Sequence, residues 1–284
     1  MSTSGPFTTL GAAVEAASAG DEIEIAGTIE ASDSVFVRVP LTFIGVGPAP
    51  AVVARGLLRS GRGILVTESD VTIRNVEFRG ARAVTWNGSG IWHDKGNLVL
   101  EDCLFIDNQN GVMVVGHESD ALHVKGSRFV GNGGGCGHTH GLYITGNIRL
   151  AEFELCEFDA TRAGHHLKSK ARETLVEKCY FCGLPGSTTS CAIDLPAGGN
   201  AVISGSLFVK SRESMSARFI SYCSESGRLA KSDLTVRNNI FISHRRLPSV
   251  AVRNYSRAVR AFLEGNAYEK KTIFASRGRG KDVA

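Results

Sequence analysis

Short segments that alternate apolar and polar residues recur along most of the chain, and each ends on an aromatic residue. Such alternation is typical of half-buried β-strands, and no helical pattern lies between the segments. The closing aromatics are 23 to 33 residues apart, about 27 on average: Phe78, Phe105, Phe129, Phe158, Phe181, Phe208, Phe241 and Tyr268. This period predicts an all-β, single-stranded parallel β-helix of about eight or more coils. A sandwich would alternate strand direction, and the leucine-rich-repeat signature is absent.

The position two residues before each closing aromatic is small or polar almost throughout. It is occupied in order by Val76, Cys103, Ser127, Cys156, Cys179, Ser206, Asn239 and Asn266. We expect these side chains to stack inward at a bend between two strands. Three of the cysteines are then structural, because free cysteine is commonly buried. Cys179 and Cys182 form a single CxxC, which is weak evidence for zinc or redox chemistry without a second pair.

The segment before the repeats predicts a short amphipathic helix over residues 9–18. A terminal repeat exposes an unpaired sheet edge, so a helix here is expected to cover the open end of the β-helix. The β-helix domain with this cap is predicted to span residues 1–275. Residues 276–284 are basic and contain glycine, which predicts a frayed C-terminal tail.

Composition places the 284-residue chain among ordinary globular proteins, with 43% hydrophobic and 21% charged residues. A net charge of +4 is too small to argue for nucleic acid, and no apolar run is long enough to cross a membrane. No N-terminal signal sequence is visible, which predicts a cytoplasmic protein, or a periplasmic or secreted one if a signal was removed. The seven cysteines form no small-scaffold pattern, which favours a reducing compartment.

A second strand follows the aromatic in each coil, and its outward positions carry unusual residues. Alignment of the inward apolar residues predicts one outward column of Thr145, Lys168, Asp194, Ser221 and Arg253. The same alternation predicts that Tyr143, His166 and Lys170 point outward and that His165 points inward. His138 and His140 lie at the turn before Tyr143. The sequence thus predicts a patch that comprises His138, His140, Tyr143, His166, Lys168, Lys170 and Asp194.

Two other interpretations of this patch stay open. Lys168 and Asp194 can form a simple cross-strand ion pair, worth ~0.2 to 1 kcal/mol, with the histidines capping turns. Alternatively, imidazoles are common metal ligands, although the spacing of His138, His140, His165 and His166 matches no known ligand signature. We expect no metal and no other cofactor.

The chain resembles the right-handed parallel β-helix proteins of the pectate-lyase-like superfamily, over roughly residues 5–230. The opening TTLGAAVEAASAGDEIEIAGTI is similar to the superfamily's N-terminal cap and first strand. The segments HTHGLYITG, GHHLKSKA and CAIDLPAGGNAVISGSLF resemble a bacterial family with the blocks HNLYVG, GHLLKSRA and SYEIDLPNGG. Two departures point to a changed substrate or a lost activity: Gly141 replaces the family's Asn and Cys191 replaces its Tyr.

The resemblance implies a right-handed β-helix that acts on a polysaccharide or oligosaccharide in a groove on one parallel sheet. β-Elimination on a uronate needs a cation for the carboxylate, a base for the C5 proton and a proton donor for the leaving oxygen. Lys168, whose pKa would be lowered by Lys170 and His166, is the expected base, and Lys170 is expected to hold the carboxylate. Tyr143 or His140 would supply the proton and Asp194 would orient Lys168. Further substrate contacts are expected from His138, His165, Arg253 and Trp92.

Two alternative functions remain at this point. A glycoside hydrolase needs a pair of carboxylates, for which Asp194 and Glu225 are the candidates. A non-catalytic carbohydrate-binding or structural β-helix would need exposed aromatics. The candidates for stacking on sugars are Trp86, Trp92, Tyr143 and Tyr222. Neither nucleic acid nor a membrane is expected as a partner, and the sequence leaves the oligomeric state open.

Overall fold

The chain folds into an all-β parallel β-helix of about nine coils, with one short helix near the N-terminus. The computed structural model describes residues 6–134, 137–225, 229–269, 272–276 and 282–283. Over these residues the strands, numbered in chain order, form three faces, and the pairings along each face are parallel. The chain visits the faces in turn, so that each coil contributes one strand to each face. The third face carries the candidate site.

The first two faces are joined at the bend that was predicted before each aromatic. The first face comprises β1 (Glu22–Ala31), β3 (Leu41–Ala54), β5 (Val71–Arg74), β8 (Leu98–Glu101), β11 (Ala121–Lys125), β14 (Leu150–Glu154), β17 (Glu173–Glu177), β20 (Asn200–Ser204), β23 (Asp233–Arg237), β26 (Ala261–Glu264) and β29 (Asp282–Val283). β1 and β3 are long and continue onto the second face. That face further comprises β6 (Glu77–Arg79), β9 (Leu104–Ile106), β12 (Arg128–Val130), β15 (Glu157–Asp159), β18 (Tyr180–Cys182), β21 (Leu207–Lys210), β24 (Ile240–Ser243) and β27 (Ala267–Tyr268).

The third face is a separate sheet of ten strands in the described part of the chain. Its strands are short near the middle of the rod. They are β2 (Val35–Val37), β4 (Gly63–Thr67), β7 (Ser89–His93), β10 (Asn110–Val114), β13 (Leu142–Ile144), β16 (Leu167–Ser169), β19 (Ile193–Leu195), β22 (Arg218–Tyr222), β25 (Ser249–Asn254) and β28 (Thr272–Ser276).

A continuous stack of aromatic rings runs through the core, as the repeat predicts. From Phe78 to Tyr268 the rings of successive coils lie 4.5 to 5.6 Å apart and within 10° of parallel. The spacing follows from the ~4.8 Å separation of neighbouring parallel strands. Aromatic pairs of this kind add about 0.5 to 1.5 kcal/mol each beyond their burial. The stack therefore fixes the register of coils on which the third face depends.

The small and polar column at the bend is also confirmed. Cys103, Cys156 and Cys179 are buried and free, and their sulfurs contact backbone carbonyls. Several members accept a backbone N–H from the preceding coil: the amide nitrogen of Cys103 lies 3.0 Å from Ser127 Oγ, and that of Cys179 lies 3.0 Å from Ser206 Oγ. Burial raises the pKa of Cys103 to about 12, so this thiol is structural. Cys136 lies outside the described residues.

The helix α1 (Leu10–Ala16) is shorter than the predicted 9–18. The side chain of Thr9 caps it by accepting the N–H of Ala12, and Leu10 and Ala13 are buried against the core. At the other end β28 pairs with β25, and β29 pairs with β26 within the predicted tail. The rest of that tail, 277–281 and 284, lies outside the described residues. No helix in the described part of the chain is long and apolar enough to span a membrane.

Candidate functional site

One column of the third face changes from apolar to charged along the rod. Strand register aligns Trp92, Met113, Tyr143, Lys168, Asp194, Ser221 and Arg253 in successive coils. Lys168 therefore has Tyr143 beside it in the preceding coil and Asp194 in the next. The charged part of this column, together with the residues that contact it, is the candidate site.

The predicted register is wrong at one step of this column. Tyr143, rather than Thr145, stands beside Lys168, because Leu142 aligns with Leu167 and Ile144 aligns with Ser169. A shift of two residues keeps the same side of the strand outward, so the predicted orientations of Tyr143 and Lys168 are unaffected. The shift brings an aromatic hydroxyl group into the column in place of the Thr145 side chain.

Glu225 bridges the two lysines of the site. Lys168 Nζ lies 2.9 Å from Glu225 Oε1, and Lys170 Nζ lies 2.9 Å from Glu225 Oε2. Burial raises the pKa of Glu225, but the hydrogen bonds from both lysines lower it more, so it lies below its usual value. The hydrogen bond to Glu225 in turn raises the pKa of Lys170. The lysine pair thus holds one carboxylate, one oxygen on each ammonium.

Asp194 lies beneath this ion pair and is only 4% exposed. Its Oδ2 lies 3.9 Å from Lys168 Nζ and 3.6 Å from His165 Nε2, and Ser224 Oγ donates to its Oδ1 at 3.4 Å. A buried carboxylate of this kind is stabilised by the cation and the donors around it. Asp194 therefore holds Lys168 and His165 in place from below.

Tyr143 is enclosed by cationic and imidazole groups. The Lys168 ammonium lies 5.2 Å from the centre of its ring, and the ring of His140 meets it edge to face at 4.9 Å. Tyr143 also contributes to the raised pKa of Lys170, after the larger effects of the hydrogen bond that Lys170 donates to Glu225 and of burial, which opposes it. Its ring therefore lies against the Lys168 ammonium and the His140 imidazole.

A polar ladder runs beside this column, at the position three residues before each of its members. Asn110 Oδ1 accepts the N–H of His140 at 2.9 Å, His140 Nδ1 accepts the N–H of His165 at 3.1 Å, and His165 Nδ1 accepts the N–H of Cys191 at 3.1 Å. The two imidazole rings stack 5.1 Å apart. Each ring is thus held by the backbone of the next coil.

This ladder determines the tautomers of both histidines. A neutral imidazole that accepts a hydrogen bond at Nδ1 carries its proton at Nε2. Burial lowers the pKa of His140 well below its usual value, and burial lowers that of His165 to about 4 despite the opposing effect of Asp194. At neutral pH both side chains therefore present an Nε2–H donor and have no lone pair with which to accept a proton.

The predicted orientations of His165 and His166 are wrong. His166 is buried, contacts the rings of Phe158 and Phe181, and shares a 2.8 Å hydrogen bond between its Nδ1 and Thr161 Oγ1. His165 instead faces Asp194. Strand β16 begins only at Leu167, so the two histidines lie in the preceding bend, where strict alternation does not apply. His166 therefore does not crowd Lys168, whose neighbouring charged groups include two carboxylates.

The remaining predicted binding residues lie around the site rather than at its centre. His138 is exposed. Trp92 donates from Nε1 to Asp94 at 2.7 Å, with the Arg62 guanidinium 5.7 Å from its ring, and the Arg253 guanidinium lies 5.2 Å from the ring of Tyr255. Trp86 is exposed, as an aromatic sugar contact would need to be.

Tyr222 cannot stack on a sugar in this structure. It is fully buried, and its hydroxyl group donates to the carbonyl oxygen of Gly199 at 2.6 Å. Across the described ranges, no group of three or more His, Cys, Asp or Glu side chains is placed to hold a metal ion. His140 and His165 both use Nδ1 for the ladder, and His166 points into the core.

Sequence reasoning missed the groups that complete the site from other coils. Glu225 was only a possible hydrolase partner, and it follows Cys223, a turn residue with a positive φ of 58° that no periodicity reveals. Asn110 and Cys191 occupy the ladder positions equivalent to His140 and His165, and a correct register would have found them. The burial of Lys210 was not predicted, because it ends a strand whose other three residues are apolar.

Comparisons with solved structures identify the fold. The chain aligns with an alginate lyase from Paenibacillus sp. str. FPU-7 with a TM-score of 0.68 and 17% identity, over 94% of this chain and 95% of that chain. ORF18 of Geobacillus virus E2 aligns with a TM-score of 0.55 and 13% identity, over 94% of this chain and 53% of that chain. These likenesses show the fold alone. No family model and no curated protein matches the chain.

Proposed function

We propose that the protein is a polysaccharide lyase that cleaves a uronate-containing glycan by β-elimination on its third face. The observation that carries the proposal is the lysine pair, which binds a carboxylate through both oxygens at 2.9 Å each. A uronate carboxylate presents the same two oxygens and would replace that of Glu225. The fold likeness to an alginate lyase supports a substrate of this class.

Binding of the uronate carboxylate at this position makes the C5 proton more acidic. Lys170 would neutralise the carboxylate, and the Nε2–H groups of His140 and His165 would donate to its oxygens as negative charge develops. Donors that are already oriented stabilise such charge without reorganisation, and removing one typically costs about 10²- to 10³-fold in kcat. The tautomers fixed by the ladder thus have a direct use in the reaction.

The base in this proposal is Tyr143 rather than Lys168. The two facing histidines have no free lone pair, Lys168 and Lys170 are engaged as ammonium groups, and Asp194 is buried beneath Lys168. Once a uronate has displaced Glu225, Tyr143 is the described side chain that contacts both Lys168 and His140 and can accept a proton. This assignment exchanges the roles that the sequence suggested for Tyr143 and Lys168.

The proton transfers balance in a single turnover. The Tyr143 phenolate takes the C5 proton, the C5–H electron pair forms the C4=C5 double bond, and the C4–O bond breaks. The Lys168 ammonium gives its proton to the leaving oxygen. Tyr143 then returns a proton to the Lys168 amine, 5.2 Å from its ring centre, and both groups regain their starting states.

Hydrolysis is the second candidate, because Asp194 and Glu225 both approach the Lys168 ammonium. An inverting or retaining hydrolase needs one carboxylic acid that stays protonated near neutral pH. The lysine pair lowers the pKa of Glu225 below its usual value, so Glu225 is ionised and cannot act as that acid. A hydrolase would therefore have to use Asp194 as its acid, whereas elimination uses the lysine pair that holds the carboxylate.

A panel of uronate polysaccharides and oligosaccharides tests the proposal. The ultraviolet absorbance of the unsaturated product is followed for the wild-type protein, for Lys168→Ala and for Lys178→Ala, whose lysine pairs with Glu177 on the first face. We expect absorbance to rise with the wild type and with Lys178→Ala but not with Lys168→Ala. Substrate binding without absorbance or new reducing ends would instead identify a carbohydrate-binding β-helix.

A further inference from the structure

Lys210 is a buried lysine that the proposed reaction does not use. It is 3% exposed and lies at the end of β21, behind the candidate site. Its ammonium lies 5.3 Å from the ring centre of Phe219 and donates to the carbonyl oxygen of Ser190 at 2.6 Å. Among the described residues it forms no ion pair with a carboxylate within 4.0 Å. Burial lowers its pKa to about 8. Burying a cation without a paired carboxylate costs folding free energy, so we expect its charge to perform a role.

The carbonyl group that Lys210 holds belongs to the same peptide unit that fixes His165. The oxygen of the Ser190–Cys191 peptide accepts from Lys210 Nζ, and its N–H donates to His165 Nδ1 at 3.1 Å. A cation at the oxygen polarises the peptide and makes its N–H a stronger donor, since hydrogen bonds in a chain reinforce one another and charge-assisted ones are stronger.

A similar pair of hydrogen bonds, without a cation, lies one coil earlier. The N–H of Ser190 donates to the carbonyl oxygen of Gly164 at 2.7 Å, and the N–H of the Gly164–His165 peptide donates to His140 Nδ1 at 3.1 Å. The Ser190 N–H belongs to the Thr189–Ser190 peptide, so Lys210 acts directly on the donor to His165 and not on the donor to His140. Without the cation, Nδ1 of His165 would have a weaker donor, and the Nδ1–H tautomer of His165 would compete.

We infer that Lys210 is a positioning residue whose positive charge, acting through the Ser190–Cys191 peptide, holds His165 as the Nε2–H tautomer that faces Asp194. Lys210 is buried at the end of β21 and does not reach the surface of the third face. Its role in catalysis rests on the proposed lyase function, but the tautomer of His165 does not. The two claims can therefore fail separately.

Nuclear magnetic resonance of ¹⁵N-histidine-labelled protein without substrate tests this inference, because the ring nitrogen shifts report the tautomer directly. The variants are Lys210→Met, which removes charge and donor, and Lys210→Gln, which keeps a donor without the charge. Lys178→Met is the control, and His165→Gln assigns the signals. We expect the wild type and the control to show only the Nε2–H form of His165 at pH 7. Lys210→Met should show at least one-fifth Nδ1–H form, and Lys210→Gln should show a smaller but measurable fraction.

Unchanged His165 shifts in folded Lys210→Met would overturn the inference. If Lys210→Met does not fold, unchanged shifts in Lys210→Gln overturn it equally, because the proposed role requires the charge. A purely structural role for Lys210 would lower the melting temperature without changing the tautomer. If the Lys210 variants change the His165 tautomer but the wild-type protein cleaves no uronate, the positioning role stands and the lyase proposal is rejected.

Discussion

The ammonium of Lys168 lies 2.9 Å from a carboxylate oxygen of Glu225, although 57 residues separate the two along the chain. The contact joins β16 to the segment after β22, two coils away on the same face. It shows that the lysine pair is shaped to hold a carboxylate. It also places an internal competitor where a uronate would bind.

Removing the charge of Glu225 should strengthen substrate binding. In Glu225→Gln the lysine pair no longer holds an anion, so a uronate oligosaccharide displaces only an amide. We expect KM to fall several-fold at neutral pH while kcat changes less, and steady-state kinetics with oligosaccharides measures both. Glu177→Gln, which breaks the exposed Glu177–Lys178 pair on another face, is the matched control. An increase in KM for Glu225→Gln would show that Glu225 assists binding instead.

Loss of the Tyr143 hydroxyl group should abolish elimination without affecting the fold. Proton transfer by a positioned side chain contributes about 10²- to 10⁴-fold to rate, so Tyr143→Phe should lower kcat by that range. The ring contacts with Lys168 and His140 persist, so KM should change little. Tyr180→Phe, which removes a hydroxyl group that contacts Cys182 on the second face, controls for the substitution. Retention of more than one-tenth of kcat would reassign the base.

Buried His166 should make stability depend on pH below neutrality. Burial lowers its pKa from 6.5 to about 3, so between these values the unfolded chain binds a proton that the folded one does not. The free energy of unfolding therefore falls as pH decreases from 6.5, by up to about 1.4 kcal/mol per pH unit for this one group. Urea unfolding at pH 7 and pH 5 should show a smaller loss for His166→Gln than for the wild type. Equal losses of unfolding free energy in the two proteins would show that His166 is not the source of the pH dependence.

Phe158 lies in the middle of the aromatic stack, in the coil that carries Lys168. Phe158→Ala should destabilise the protein by about 3 to 5 kcal/mol, because it removes the stacking contacts with Phe129 and Phe181 and leaves a cavity. Chemical denaturation measures the change. Ile240→Ala, on an exposed position of the second face, should cost far less. Similar losses of unfolding free energy in both variants would mean that the aromatic stack contributes no more to stability than an exposed side chain does.

The sequence predicted the fold because each coil repeats one arrangement of inward residues, from Cys103 and Phe105 onward, and the repeat is readable without long-range information. It also located Lys168 and Asp194 in neighbouring rungs. It failed at His165 and His166, because these residues lie in a bend where strand alternation does not hold. It could not place Glu225 on the lysine pair, since that contact depends on where an irregular segment two coils away returns to the face.

The masses of the products from one defined uronate oligosaccharide test the lyase proposal most directly. Elimination adds no water, so one fragment should carry the double bond and be lighter by one water than its hydrolytic counterpart. We expect this fragment with the wild type and not with Tyr143→Phe. Two fragments with the masses of hydrolysis would contradict the account and would assign the reaction to Asp194 and Glu225 as a glycosidase pair.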